Sequence, residues 1–215
     1  MVANKSLILV GPGEHFGLEL ARLFGSENFH IVLIARNPSS LIGASNELEQ
    51  ENISCSCLAV DITDKDKFSN QLAEIAKSIP PIEALIFNVV ASSRGNGLNL
   101  PPDELTRALT TNVSGALAVV QAALPFLVKG SSIVFTGGGY KDAPDSEKLA
   151  LSVSKGALHT LFLSLVQPLQ TQGIKIGTVV IDGAVREDGP IYPRDVAKAF
   201  WDVYQAETGK IVELR

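Results

Sequence analysis

Strand-like and helix-like segments alternate along this chain from end to end, and that alternation limits its fold more than any other feature. Short apolar runs predict strands at Ser6–Val10, His30–Ala35, Ser54–Val60, Ala84–Val89, Ser132–Thr136, Lys175–Ile181 and Lys210–Leu214. Segments of helical period fill the gaps at Phe16–Ser26, Ser39–Glu51, Lys65–Ile79, Asp103–Leu127, Glu147–Gln170 and Arg194–Ala206. Asp64 ahead of Lys65, and Pro102-Asp103-Glu104 ahead of an apolar run, are helix starts. Gly173 is a helix end, and Pro168 close to it is expected to shorten the last turn. Unbroken aliphatic runs such as Leu7-Ile8-Leu9-Val10 suit parallel strands covered on both faces, as does a hydrophobic content of 46%. A strand–helix–strand rhythm makes a parallel sheet with right-handed crossovers. Its ligand crevice lies beyond the strand carboxyl ends, where strand order reverses. With no repeat, low-complexity stretch or linker, residues 1–215 are expected to form a single doubly wound α/β domain. The expected architecture is three-layered, α/β/α, with about seven parallel strands, of the Rossmann type.

Several function classes are disfavoured. A net charge of −5 without a Lys/Arg block argues against nucleic acid as a partner. The amino-terminal apolar run is only Leu7–Val10, shorter than a signal peptide requires, and no run is read as approaching a membrane span. Cys55 and Cys57 fall on one face of a strand, where a bridge between them would be strained and two ligands alone make no zinc site. They are read as buried or half-buried thiols in a reducing, cytoplasmic compartment, with no metal expected.

The first strand runs into Gly11-Pro12-Gly13-Glu14-His15-Phe16-Gly17 and then a helix. A tight turn needs glycine's backbone freedom, and a pyrophosphate needs close approach to helix amides. Strand, turn and helix come in the order that dinucleotide binding requires. The second strand ends at Ala35-Arg36, 19 residues past Gly17. An acid near this point grips the ribose of NAD, whereas an arginine accommodates the 2′-phosphate of NADP. The absence of an acid and the presence of Arg36 favour NADP(H) over NAD(H), although Arg36 also reads as a solvated loop residue and Glu14 would repel a phosphate.

Taken together, these features resemble the short-chain dehydrogenase/reductase family over nearly the whole chain. Asp61 in Val60-Asp61-Ile62-Thr63-Asp64 matches the family's adenine-contacting acid, and Asn88 in Phe87-Asn88-Val89-Val90 is what remains of its Asn-Asn-Ala-Gly segment. Asn112 in Thr111-Asn112-Val113-Ser114-Gly115 matches the family's helix Asn. Lys155 in Ser154-Lys155-Gly156-Ala157 matches its active-site Lys, and Gly183 matches the glycine after the sixth strand. The resemblance implies Lys155 and Asn112 as catalytic residues. The implied cofactor contacts are Gly11, Gly13, His15, Phe16, Gly17, Arg36, Asp61, Ile62, Asn88, Val89, Lys155 and Gly183.

The departures concern chemistry. His15 stands where the family's middle glycine falls, Leu151 stands one turn before Lys155 in place of the proton-donating Tyr, and Gly138 stands in place of the carbonyl-polarising Ser. Losing a general acid costs about 10²–10⁴-fold in rate, and losing an oxyanion donor about 10²–10³-fold. The chain therefore looks like an atypical subgroup without that Tyr and Ser. Tyr140, Ser152 and His159 are possible substitutes, but each also reads structurally, as a loop anchor, a helix-surface hydroxyl and a packed ring, and those readings are preferred. Asp182 before Gly183 reads as a turn-former or a site residue. The segment Arg186–Pro193 is short for a lid, so the substrate side is expected to be open or completed by a second subunit. Three functions remain: an oxidoreductase acting on a carbonyl or hydroxyl of an unknown small molecule, a cofactor-binding sensor or scaffold without turnover, and a structural protein with no cofactor. The resemblance also implies a homodimer or homotetramer through the helices Asp103–Leu127 and Glu147–Gln170.

Overall fold

The computed structural model of the protein describes residues 3–13, 16–92 and 97–215. Seven strands form one fully parallel sheet: β1 (Lys5–Val10), β2 (Phe29–Ala35), β3 (Cys55–Ala59), β4 (Ile82–Phe87), β5 (Leu127–Gly138), β6 (Lys175–Ile181) and β7 (Ile211–Leu214). Their order is β3-β2-β1-β4-β5-β6-β7. The chain steps outward from β1 to β3, then returns to the far side of β1 at β4. Strand order thus reverses between β1 and β4, where Val10 lies beside both Ile34 and Phe87.

The helices are α1 (Gly17–Ser26), α2 (Pro38–Gln50), α3 (Lys65–Ala76), α4 (Pro102–Leu109), α5 (Gly115–Ala123), α6 (Leu149–Thr171) and α7 (Pro193–Gln205). They cover the sheet on both faces. Ile8, Val10, Val32 and Ile34 pack with Phe68, Val119 and Phe162 of α3, α5 and α6. Leu7, Leu9, Ile31 and Leu33 pack with Leu20, Phe24 and Phe200 of α1 and α7. Successive strand residues point to opposite faces, so covering both faces demands unbroken aliphatic runs. The Rossmann-type, doubly wound architecture is as expected.

Four local expectations are corrected. The predicted helix Asp103–Leu127 is broken: α4 passes through a π turn, Thr110–Ser114, into α5, which ends in a 3₁₀ turn, Leu124–Phe126. Pro125 lacks an amide donor, and Leu127 already pairs with Ile82 as the first residue of β5. Pro168 does not shorten α6, because only one helical bond is lost and Leu169, 2% exposed, anchors the last turn in the core. Cys57 is exposed rather than buried, since β3 lies at the edge of the sheet; Cys55 is half-buried, and burial pushes its thiol up to about 11. Finally, the stretches Pro102–Phe126 and Leu149–Thr171 are long and apolar enough to cross a membrane by length and composition. Here Ala116, Val119, Leu158 and Phe162 of these stretches pack on the sheet.

The α1–α7 layer is held by aromatic contacts. Phe24, fully buried, meets Phe29 at 5.1 Å, Trp201 at 5.0 Å and Tyr204 at 5.5 Å between ring centroids, all edge-to-face. Phe24→Ala is expected to cost about 3–5 kcal/mol through lost burial and the cavity left behind. Urea unfolding followed by the fluorescence of Trp201, the one tryptophan, measures this; a loss below about 1 kcal/mol would contradict the packing described.

Candidate functional site

The site begins where β1 stops. The Gly11 amide donates to the Ile34 carbonyl at 2.8 Å, and Gly11 (φ +77°) and Gly13 (φ +62°) occupy the left-handed region that favours glycine. A Cβ on Gly11 would lie 3.0 Å from the Asn88 carbonyl and from Val89 Cγ2. One on Gly17 would lie 1.5 Å from the Pro12 carbonyl oxygen, so α1 starts pressed against the turn. Among the described residues, one on Gly13 would meet nothing nearer than Asn88 Nδ2 at 3.8 Å. His15, and Glu14 beside it, lie outside the described residues. The Phe16 ring is 8% exposed and packs 6.0 Å from Phe200, facing the core rather than the crevice.

A cleft of about 370 Å³ opens at the strand-order reversal. It brings together Gly11, Gly13, Arg36, Asp61, Ile62, Asn88, Val89 and Val90, all singled out from sequence, with Asn37, Ser40 and Thr111, which were not. Asn37 caps α2, its Oδ1 accepting from the Ser39 amide at 3.0 Å. Arg36 is largely exposed, and its guanidinium lies 3.9 Å from Asp61. Asp61 Oδ1 accepts from the Thr63 amide (2.9 Å) and hydroxyl (2.7 Å), closing a local turn. Burial pushes the Asp61 carboxyl up, but the two Thr63 donors and Arg36 outweigh it and hold the group below its ordinary range. A larger groove, about 950 Å³, lies at the amino ends of the strands beside Arg22 and Trp201 and contains none of these residues.

A polar chain runs from half-buried Asn88 in the cleft to buried Thr136 and Lys155. Asn88 donates from its amide to the Val10 carbonyl (2.8 Å) and from Nδ2 to the Gly11 carbonyl (2.7 Å), while its Oδ1 accepts from Thr136 Oγ1 (2.8 Å). The Thr136 carbonyl accepts from Lys155 Nζ at 2.7 Å. Lys155 is 9% exposed and, among the described residues, forms no ion pair with a carboxylate. Burial brings its ammonium down to about 8. The Lys155 stem lies along Gly138, where a Cβ would stand 3.2 Å from Cδ and Cε. Asn112, on the π turn, donates from Nδ2 to the Ala91 carbonyl (2.8 Å) and to Ser154 Oγ (2.9 Å), and its Oδ1 accepts from the Ala91 amide (2.6 Å). The wider π turn aims Asn112 inward, so it ties the segment after β4 to α6. Thr136 and Ser154 were missed in sequence; standing beside the glycine run and beside Lys155 was their only signal.

The other residues fall apart from this chain. Gly183 lies exposed at the end of β6, where a Cβ would meet Ile191 Cδ1 at 3.0 Å. Ser152 Oγ accepts from the Asp145 amide at 3.0 Å and is buried, so it anchors the turn before α6. The His159 ring lies 5.9 Å from Phe162, and burial, then Lys141, lower its proton affinity against the opposing pull of Asp142 and Glu213. The Asp182 carboxylate lies over Gly139, where a Cβ would stand 2.1 Å from Oδ1. Tyr140 Oη accepts from Lys148 Nζ at 2.5 Å.

The buried Lys155 ammonium sets a pH dependence. In the unfolded chain it titrates near 10.5 and in the folded protein near 8, so the unfolded state binds the extra proton between those values. Below about pH 8 the charged lysine is a full burden on folding; that burden is relieved as pH rises toward about 10.5. At about 1.4 kcal/mol per pH unit, wild type should gain up to about 3 kcal/mol relative to Lys155→Met between pH 7 and pH 10.5 in parallel urea titrations. A difference that stays flat with pH would refute the desolvated ammonium.

Comparison with known proteins agrees with this geometry. Residues 5–186 match the family described as short chain dehydrogenase. An uncharacterized oxidoreductase of Bacillus subtilis is 25% identical over 199 residues, covering 92% of this chain and 67% of the relative. One from Staphylococcus aureus is 23% identical over 212 residues, covering 93% of this chain and 90% of the relative. Among solved structures, a metagenomic short-chain oxidoreductase in complex with NADP superposes with a TM-score of 0.87 at 18% identity, covering 100% of this chain and 98% of its own. A 3-oxoacyl (acyl-carrier-protein) reductase from Agrobacterium tumefaciens with NADP bound gives 0.84 at 19% identity, covering 99% and 93%. The superpositions speak for the fold; the match over residues 5–186, which takes in the glycine turn, Asn112 and Lys155, identifies the chain as a member of the short-chain dehydrogenase family.

Proposed function

We propose that the protein binds NADP(H) across the crevice between β1 and β4 and acts as an oxidoreductase on a carbonyl or hydroxyl group of a small molecule, with an altered active site. One observation carries this reading: the cleft at the strand-order reversal joins the glycine turn to Arg36, with no acid at the end of β2. The residues fit a dinucleotide. Gly11 and Gly13 give the backbone the positive-φ conformation that lets a pyrophosphate approach, and the Arg36 guanidinium suits a 2′-phosphate. Asp61, Ile62, Asn88 and Val89 line the adenosine side of the same cleft. Lys155 and Asn112 serve the nicotinamide half, with Gly183 beyond them. NADP in two structural relatives supports the phosphate-bearing cofactor. When bound, the reduced cofactor supplies a hydride.

Leu151 and Gly138 favour one second reading, a cofactor-holding sensor or scaffold without turnover, because neither side chain can donate a proton or polarise a carbonyl. We further propose a homodimer or homotetramer through α6, whose Val153 and Leu163 are 43% and 53% exposed.

Calorimetric titration tests cofactor binding directly. NADPH should bind, and Arg36→Ala should weaken it roughly tenfold or more, as expected for a lost charge-assisted contact, while NADH affinity stays within about twofold. Absence of binding by both dinucleotides at millimolar concentration overturns the proposal.

A further inference from the structure

Reducing a carbonyl requires a proton at oxygen as well as a hydride at carbon, and Leu151 has no proton to give. A phenol does stand at this end of the sheet. Tyr140 lies in the 3₁₀ turn Gly139–Lys141, immediately past β5 and two residues from Gly138, which flanks the Lys155 stem. Its Oη accepts a hydrogen bond from Lys148 Nζ at 2.5 Å, and the same nitrogen lies 5.0 Å from the ring centroid. Lys148 immediately precedes α6, and its carbonyl accepts from the Ser152 amide at 2.9 Å. Lys148 thus precedes Lys155 by about 10 Å along the helix axis, and its bond to Tyr140 ties the end of β5 to the start of α6.

An ammonium can only donate. The phenolic oxygen must then be the acceptor in this bond, and its own proton points away from Lys148. The phenolate left behind would face a positive charge at hydrogen-bond distance, the strong class of contact. Ser152 is committed to Asp145 and Lys155 Nζ to the Thr136 carbonyl, while the His159 ring lies against Phe162 and burial, then Lys141, lower its proton affinity.

We propose that Tyr140, held by Lys148, is the proton donor of this site, a phenol–ammonium pair that ties the end of β5 to the start of α6; the assignment rests on the oxidoreductase reading above. In the step, the carbonyl carbon gains a hydride from the dihydronicotinamide cofactor, which is oxidised to the nicotinamide form. The carbonyl π pair moves to oxygen and takes the Tyr140 Oη proton, yielding the alcohol. The phenolate, paired with Lys148, regains a proton from water. Tyr140 is the catalytic residue and Lys148 a positioning residue.

The test uses NADPH with nitrobenzaldehyde and diacetyl as carbonyl probes, following loss of the dihydronicotinamide absorbance, beside calorimetric NADPH affinity. Tyr140→Phe should lower kcat about 10²–10⁴-fold with KM and NADPH affinity within about twofold. Lys148→Met should lower kcat as well, and Lys148→Arg should recover most of it. Adding Leu151→Tyr to Tyr140→Phe should restore turnover. Tyr140→Phe within about twofold of wild type overturns the assignment. Wild type that binds NADPH but reduces neither probe also overturns it, leaving the cofactor reading intact. Wild type that fails to bind NADPH removes both.

Discussion

At the reversal of strand order one side chain joins three strands. Asn88 receives Thr136 Oγ1 from β5, donates to the Gly11 carbonyl at the end of β1, and sends its backbone amide to Val10. Each bond contributes only about 1 kcal/mol net, but leaving such a buried partner unpaired costs about 1–3 kcal/mol. The network therefore acts less as glue than as a specification. It fixes the separation of β1 and β5 across β4, and with it the mouth of the cleft. Because the Thr136 carbonyl also receives Lys155, the position of that ammonium is set by the same chain of bonds.

Lys155 and Gly138 form one arrangement rather than two separate features. A buried ammonium with no carboxylate partner among the described residues is unfavourable, and a single carbonyl compensates only part of its lost hydration. It reaches that carbonyl because Gly138 has no side chain where the lysine stem passes. A serine at 138 would place its Cβ 3.2 Å from two stem carbons, so the lysine stem would have to shift by a few tenths of an ångström to admit it.

The parts legible in sequence are those that repeat. Two-faced burial writes itself as aliphatic runs, so Leu7-Ile8-Leu9-Val10 announced a central strand, and glycine's tolerance of positive φ marked Gly11. What escaped was set by tertiary contacts. The π turn exists where Asn112 clasps Ala91 and Ser154, partners 21 and 42 residues away, and an apolar helical pattern carries no mark of it. Phe16 follows the glycine turn directly, yet its ring packs against Phe200 on α7, nearly the whole chain away. The bond from Lys148 to Tyr140 joins a loop to a helix start, so no periodicity links the two.

The exposed rim of the cleft obeys a different rule from the buried lysine behind it. Arg36 and Asp61 have side chains 72% and 41% exposed and stand 3.9 Å apart, a geometry in which water screens most of the attraction. Such surface pairs are worth about 0–1 kcal/mol. Asp61 is in any case held by Thr63, independently of the arginine. Arg36 can therefore leave its partner for a phosphate at almost no cost, whereas moving Lys155 would break a buried bond. The charge on the rim is thus adaptable, and the charge held on Thr136 behind the cleft is fixed.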